Sequence, residues 1–286
     1  MSALRLLHEL AQRHMDSDPK RGPLGGLGVF HACNWQELRA VPIHDPLMIL
    51  IIHGQKDYRH VRHAAMAGPG ELLLLPGGVD LWLRNLPGDD GGDFFSVALP
   101  FPATTVAQFR QLYAERIPQW DAEPVWQIPA EERLIEAVWQ WMIHCREHHI
   151  DPLVAQHRQL EFLLILARSG LAGAILRNKQ PNWRALVAGL IAADPAQEWR
   201  MEAVCMRLGV SESALRRHLQ AEGSGFRTLL EDARLLAGLS LLQETYWPIN
   251  QVALAVGYQS PSRFSSRFKA RFGVGPAELR KTRTRV

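Results

Sequence analysis

Cysteine is scarce in this sequence. Cys33, Cys145 and Cys205 are the three present among 286 residues, odd in number, far apart and without CxxC spacing. A disulfide framework or a zinc site is therefore not expected, and a reducing compartment is. The motifs GxSxG, HExxH, GxxxxGK[ST] and GxGxxG do not occur, so the usual signatures of hydrolases, metalloproteases, nucleotide hydrolases and dinucleotide enzymes are missing and neither catalytic residues nor a cofactor are expected. Long apolar runs are also lacking. The longest, Phe162 to Leu176, is broken by Arg168 and Gly170 and falls short of the roughly 18 residues a membrane span needs. The opening MSALRLLHELAQRHMDSD has no apolar signal region or small-residue cleavage site and reads as a short amphipathic helix. The expectation is a soluble, cytoplasmic protein with no membrane partner.

The charge is uneven along the chain. From Pro181 onward there are 15 Lys and Arg against 9 Asp and Glu, whereas the first 180 residues hold 17 against 20. A chain of this length can form two domains with separate cores, and the basic part points toward a polyanionic partner.

That basic part contains a repeated pattern. Ile249, Val252, Ala253 and Val256 fall at helical spacing, Gly257 stops the helix, and Ser260 opens another whose Phe264, Phe268 and Phe272 recur every four residues. Opposite the phenylalanine stripe lie Ser262, Ser266 and Lys269, flanked by Arg263, Arg267 and Arg271. This is a helix-turn-helix pattern with a small, polar, cationic face suited to a major groove. About 48 residues upstream a second copy reads MEAVCMRLGVSESALRRHLQAE. Val204, Cys205 and Leu208 lead to the Gly209-Val210 turn, Leu215 and Leu219 hold the next helix down, and the turn is one residue shorter than in the later copy. Between the copies, Phe226 to Leu242 is one apolar-periodic segment, a rigid spacer about 25 Å long if helical. Two such copies plus the tail Arg280-Lys281-Thr282-Arg283-Thr284-Arg285 favour a nucleic-acid surface over a solvated helix face.

These residues resemble the DNA-binding domain of the AraC/XylS transcription regulators. The likeness runs from about Asn182 to Lys281 and rests on Ile249, Val252, Ala253, Val256, Gly257 and Tyr258, then Phe264, Ser265, Phe268, Lys269, Phe272, Gly273, Pro276 and Arg280. Ser266 and Ala270 stand where the family usually has basic residues, and Cys205 where alanine is usual; these departures bear on which bases are read, not on the fold. The resemblance implies double-stranded promoter DNA as partner, and RNA polymerase as well if the protein is an activator, which the family favours. In the first copy Ser213, Arg217 and Gln220 turn outward with Arg216 beside them, at the positions by which members of the family contact bases. In the second, Ser262 and Ser266 are short, so Arg263 is the expected base reader while Arg267 and Lys269 serve phosphates.

The first part of the chain reads differently. Pro19 to Gly28 is turn-rich, and Leu47 to His53, Glu71 to Leu75, Val79 to Arg84 and Phe94 to Leu99 are strand-length apolar runs bounded by turn residues. Their close spacing predicts an antiparallel sandwich or small barrel. Gly68 to Gly77, with its glycine-bounded leucine strand, resembles cupin-like barrels. Helices are predicted over Ala103 to Tyr113, Ala130 to His148 and Pro152 to Leu176; the last two either form a dimerisation surface or cover an open barrel face. Arg177 to Asn182 is polar, contains Pro181 and reads as a linker. The expected fold is α+β: a cupin-like barrel with flanking helices over 1–176, then an all-α domain over 183–286.

Eleven of the twelve histidines precede residue 180. His60 and His63, followed by Glu71, are the best metal candidates, but they lack a paired HxH, and no metal site is expected. His144, His148 and His149 suit a helix C-terminus. For a ligand pocket in the barrel, His53, Trp82, Arg84 and Phe95 are chemically suitable. The expectation is a regulator controlled by a small molecule or partner at the N-terminal domain; the alternative is a cupin-type enzyme or metal-binding protein with an accessory DNA-binding tail.

Overall fold

A computed structural model describes residues 2–15, 27–61, 63–113, 115–117, 124–148, 150–177 and 183–284. After helix α1 (Ala3–Met15) come strands β1 (Gly28–Ala32), β2 (Gln36–Ile43), β3 (Leu47–His53), β4 (Gln55–His60), β5 (His63–Ala67), β6 (Glu71–Leu75), β7 (Val79–Leu86) and β8 (Phe94–Pro100). Helix α2 (Ala103–Tyr113), strand β9 (Gln127–Pro129), and helices α3 (Glu132–Glu147), α4 (Pro152–Arg168) and α5 (Gly173–Leu176) complete the first part. The strands form two antiparallel sheets, ordered β1-β8-β3-β6-β9 and β2-β7-β4-β5.

Strand β3, LMILIIH, is apolar at nearly every position because both of its faces are covered. Met48, Leu50 and Ile52 join a cluster with Leu7 of α1, Trp141 of α3 and Phe162 of α4. Ile49 and Ile51 join another with Leu38, Tyr58 and Leu83 of the four-stranded sheet. The helices thus cover one face of the five-stranded sheet, as one of the two sequence expectations had it, and the second sheet covers the other.

Five strands, β1, β2, β4, β5 and β9, were not among the predicted runs. Their sequences carry His31 in β1, Glu37 and Arg39 in β2, Lys56, Asp57 and Arg59 in β4, the alanine-rich HAAMA of a sheet edge in β5, or only the three residues QIP in β9, so hydrophobicity alone does not mark them. The predicted helix from Pro152 to Leu176 divides after Arg168, where Gly170 takes φ 71°, a conformation that ends a helix. The loop expected over Pro19 to Gly28 lies mostly outside the described residues, as does the expected linker except for Arg177.

The second part is all helical: α6 (Trp183–Ala193), α7 (Met201–Leu208), α8 (Glu212–Ala221), α9 (Phe226–Glu244), α10 (Ile249–Ala255), α11 (Pro261–Phe272) and α12 (Pro276–Lys281). Among the described residues no helix is long and apolar enough to cross a membrane.

Candidate nucleic-acid interface

Local chemistry sets both turns. Helix α7 ends at Gly209, whose φ of 66° lets its N–H reach Cys205 O, and Ser211 caps α8 by accepting from Ala214 N at 3.2 Å. In the later copy Gly257 takes φ 81°, and Ser260 caps α11 by accepting from Arg263 N at 3.3 Å. A side chain on Gly257 would also meet Pro195 O at 2.7 Å, so glycine is required there for space as well as for backbone. The extra residue predicted for the second turn is present: glycine precedes the cap by two positions in one copy and three in the other.

Leu215 and Leu219 pin α8 to a core of Val187, Ile191, Trp199, Val204, Cys205, Leu229 and Ala233. The N-terminus of α6 is held by the Glu222 carboxylate, which accepts from Trp183 N and Arg184 N at 2.9 Å each, an acidic group at the positive end of a helix dipole. Phe264, Phe268 and Phe272 pin α11 and are fully buried. Gly238 of α9 lets Phe264 approach; a Cβ there would sit 2.8 Å from its ring. Helix α9, with 19 residues, is about 28 Å long and joins the two units: Leu229 and Ala233 belong to the core of the first, while Glu231 and Asp232 pair with Arg267 and Arg271 of α11.

Every predicted DNA-contact residue is exposed: Ser213, Arg216, Arg217 and Gln220 on α8, and Ser262, Arg263, Ser266, Arg267 and Lys269 on α11. Arg216 pairs with Glu212 at 3.1 Å, Arg267 with Glu231 of α9 at 3.2 Å, and Lys269 with Glu278 of α12 at 3.5 Å. Exposed pairs of this kind are worth about 0–1 kcal/mol, so a phosphate can replace the carboxylate. Arg217 and Arg263 have no acidic partner among the described residues.

Three basic residues of the sequence reading belong elsewhere. Arg271 turns inward, with Nε 2.8 Å from Asp232 of α9 and Nη2 3.3 Å from Asp80 of β7. Burial nevertheless holds the Asp232 carboxyl above its ordinary range, with Arg271 opposing. Arg280 donates to Trp247 O at 3.1 Å. Arg283 is 2% exposed, donates to Leu242 O and, at 2.9 Å, to Thr245 O, and lies over Tyr246. Arg280 and Arg283 thus clasp the end of α9 and the turn after it; Arg285 lies outside the described residues.

The four pocket candidates do not share a pocket. Leu81, Leu83 and Asn85 of β7 are the buried alternates, so Trp82 and Arg84 turn to the other face of that sheet. There Trp82 donates to Glu37 at 3.0 Å and Arg84 to Asp57 at 3.0 Å. His53 and Phe95 come together beneath α1, where His8 stacks on His53 and meets Phe95 edge-on. His60 and His63 close the β4–β5 hairpin against Trp126.

The space between the sheets is filled by side chains, including one charged group that sequence reasoning missed. Lys56 is 3% exposed and donates to Asn85 Oδ1, and burial pushes its pKa down to about 7. Asn85 donates to Gln36 Oε1 at 2.9 Å, Gln243 of α9 donates to the same oxygen at 2.8 Å, and Gln36 donates to Thr282 Oγ1 at 2.7 Å. This polar chain runs from the β interior to the helical part, and two of its members, Gln36 and Thr282, line a cleft of about 610 Å³ between β2 and α11–α12 together with Trp35, Arg39, Phe272 and Lys281.

Residues 204–282 match the family described as a helix-turn-helix domain. The chain is 32% identical over 94 residues to the urease operon transcriptional activator of Escherichia coli, 33% of this chain and 32% of that protein. It is 30% identical over 92 residues to the TCP pilus virulence regulatory protein of Vibrio cholerae, 32% of this chain and 33% of that protein. The matched stretch is thus about a third of these relatives. The whole fold is similar to ToxT of Vibrio cholerae: 17% identical over 90% of this chain and 98% of that one, TM-score 0.62, for the form bound to (E)-4-(8-methylnaphthalen-1-yl)but-3-enoic acid. For the form bound to an unsaturated fatty acid the values are 18%, 91%, 96% and 0.61. An N-terminal β domain followed by a helical domain with paired helix-turn-helix units is common to both folds.

Proposed function

We propose that this chain is a sequence-specific, DNA-binding transcription regulator of the AraC/XylS type, an activator acting with RNA polymerase in the cytoplasm, whose affinity for promoter DNA is set by a small molecule. The observation that carries it is the pair of capped, outward-facing helices α8 and α11 joined through α9. Arg216, Arg217 and Gln220, with Ser213, are taken as base readers of the first unit and Arg263 of the second, with Ser262 and Ser266 beside it; Arg267 and Lys269 serve phosphates. The relatives are transcription regulators, which favours this reading over a cupin-type enzyme with an accessory DNA-binding tail.

For the effector, the cleft replaces the barrel interior. A ligand there would touch β2 on one side and α11–α12 on the other, and only a ligand that binds two states unequally can shift them. Arg39 and Lys281 line it together with Glu37 and Glu278, and Glu37 pairs with Arg39 at 2.8 Å, so its charges are balanced; the proposed class, an apolar carboxylic acid, rests on the two ToxT structures that hold such acids. The domain boundaries proposed are 1–176 and 183–286 with a linker between, and a homodimer is proposed through α3 and α4, where Leu153 and Val154 remain exposed. Selection of binding sites from random DNA by the full chain, with and without long-chain carboxylic acids, tests the reading. Enrichment of one motif whose occupancy changes with the acid supports it; recovery of no motif rejects it.

A further inference from the structure

Three chemically different donors converge where β1 ends. The Nε2 of His31 lies 2.8 Å from Asp93 Oδ2 and 3.6 Å from Cys33 Sγ, and all three ligand atoms lie within 4.8 Å of one another. Zinc bond lengths of about 2.0–2.1 Å to imidazole or carboxylate and about 2.3 Å to thiolate set tetrahedral edges of roughly 3.6 Å between N and S and roughly 3.3 Å between N and O. The sulfur already stands at that spacing. The carboxylate has to withdraw by about half an ångström when the imidazole exchanges its hydrogen bond for a metal.

The surroundings hold the donors in place. His31 stacks on Phe95 with ring centroids 4.6 Å apart. His53 Nδ1 donates to Asp93 O at 2.6 Å while its Nε2 lies 3.2 Å from Asp90 Oδ2, so the segment that bears the carboxylate is fixed by a second histidine, as outer-shell partners do in metal sites.

We propose that His31, Cys33 and Asp93 form a binding site for a divalent cation of the zinc class, with the fourth position left to water. Imidazole, thiolate and carboxylate together suit a borderline cation rather than magnesium or calcium, and the two anionic ligands cancel its charge; binding releases the thiol proton. Location gives the site a consequence. Cys33 N and Asn34 N both donate to Thr282 O, at 2.7 and 3.1 Å, and Thr282 caps α12. Drawing Cys33 onto a cation therefore acts on the strand end that holds the helical domain; this last step rests on the proposed DNA-binding role, whereas the site itself does not.

The test uses the untagged full chain, stripped with chelator and titrated with zinc and with cobalt. Wild type should take up one zinc per chain and, with cobalt, show the thiolate-to-metal charge-transfer absorption. Cys33→Ser and Asp93→Asn should each weaken uptake by more than about tenfold, and Cys33→Ser should remove the charge-transfer band, while the Cys145→Ser/Cys205→Ser double variant behaves as wild type. If Cys33→Ser fails to fold by circular dichroism, Asp93→Asn decides, because that side chain is partly exposed. No uptake by wild type, or undiminished uptake by the folded variants, overturns the proposal. DNA affinity measured with and without zinc is a separate readout: an unchanged affinity removes the coupling and leaves the site standing.

Discussion

The two helix-turn-helix units share a design and differ in what they stand on. The first closes its own core, from Val187 to Ala233, with no residue from the sheets. In the second, Phe264, Phe268, Phe272 and Leu279 belong to one continuous cluster with Ile49, Ile51, Leu81 and Phe94 of the β domain. Arg271 binds β7 as well as α9, and Thr282 binds the segment after β1. Among the described residues a change in the β domain thus meets α11 directly, whereas the core that holds α8 contains no strand residue. On the proposed DNA-binding role, the first unit would supply a constant part of the recognition and the second a part that can be adjusted.

The largest expected effect breaks the comparison at its root. Phe268→Ala should cost about 3–5 kcal/mol through the cavity left behind, and hydrogen exchange should show the loosening spread into β2 and β7. Leu219→Ala should cost about 2–5 kcal/mol with the loosening confined to α6, α7 and α8. Equal spread from both would remove the distinction.

Lys56→Met sharpens the comparison from the β side. The folded state holds Lys56 near pKa 7 against an ordinary 10.5. Between those values the unfolded chain binds a proton that the folded chain does not, so this group makes stability rise with pH across that window and imposes its full penalty below it. Lys56→Met should therefore stabilise the chain by about 1–4 kcal/mol at neutral pH and flatten the slope of stability between pH 7 and pH 10. Denaturant titrations at several pH values check both.

This part of the molecule shows where the sequence stops being legible. The second unit could be read residue by residue because the four-residue recurrence of Phe264, Phe268 and Phe272, the glycine turn at Gly257 and the cap at Ser260 are marked by spacing within a few positions, even though Phe264 and Phe268 pack on distant partners, and the turn difference between the copies was visible as one residue of spacing. β3 and β6 announced themselves as apolar runs. Lys56, Gln36 and Gln243 did not, because their roles depend on pairings across 29 and 207 positions that no local period encodes. Arg271 and Arg283 misled for the same reason: a basic residue on a basic helix looks solvated until Asp80, Asp232 or the carbonyls of Leu242 and Thr245 are brought to it.

Smaller effects concern DNA. Arg217→Ala should relax preference at defined base pairs by about 1–3 kcal/mol of discrimination without unfolding the domain, as read by binding-site selection. Smallest of all, Lys269→Ala should weaken all sequences alike and lower the slope of log affinity against log salt by about one unit.

The central claim is that one chain reads two adjacent major-groove segments through helices set apart by α9. Missing-contact footprinting of the full chain on its selected site tests it most directly. The account predicts two contacted segments about 10 base pairs apart centre to centre, the one lost in Arg217→Ala and the other weakened in Arg263→Ala. A single contacted segment, or two that fade together in either variant, would contradict it.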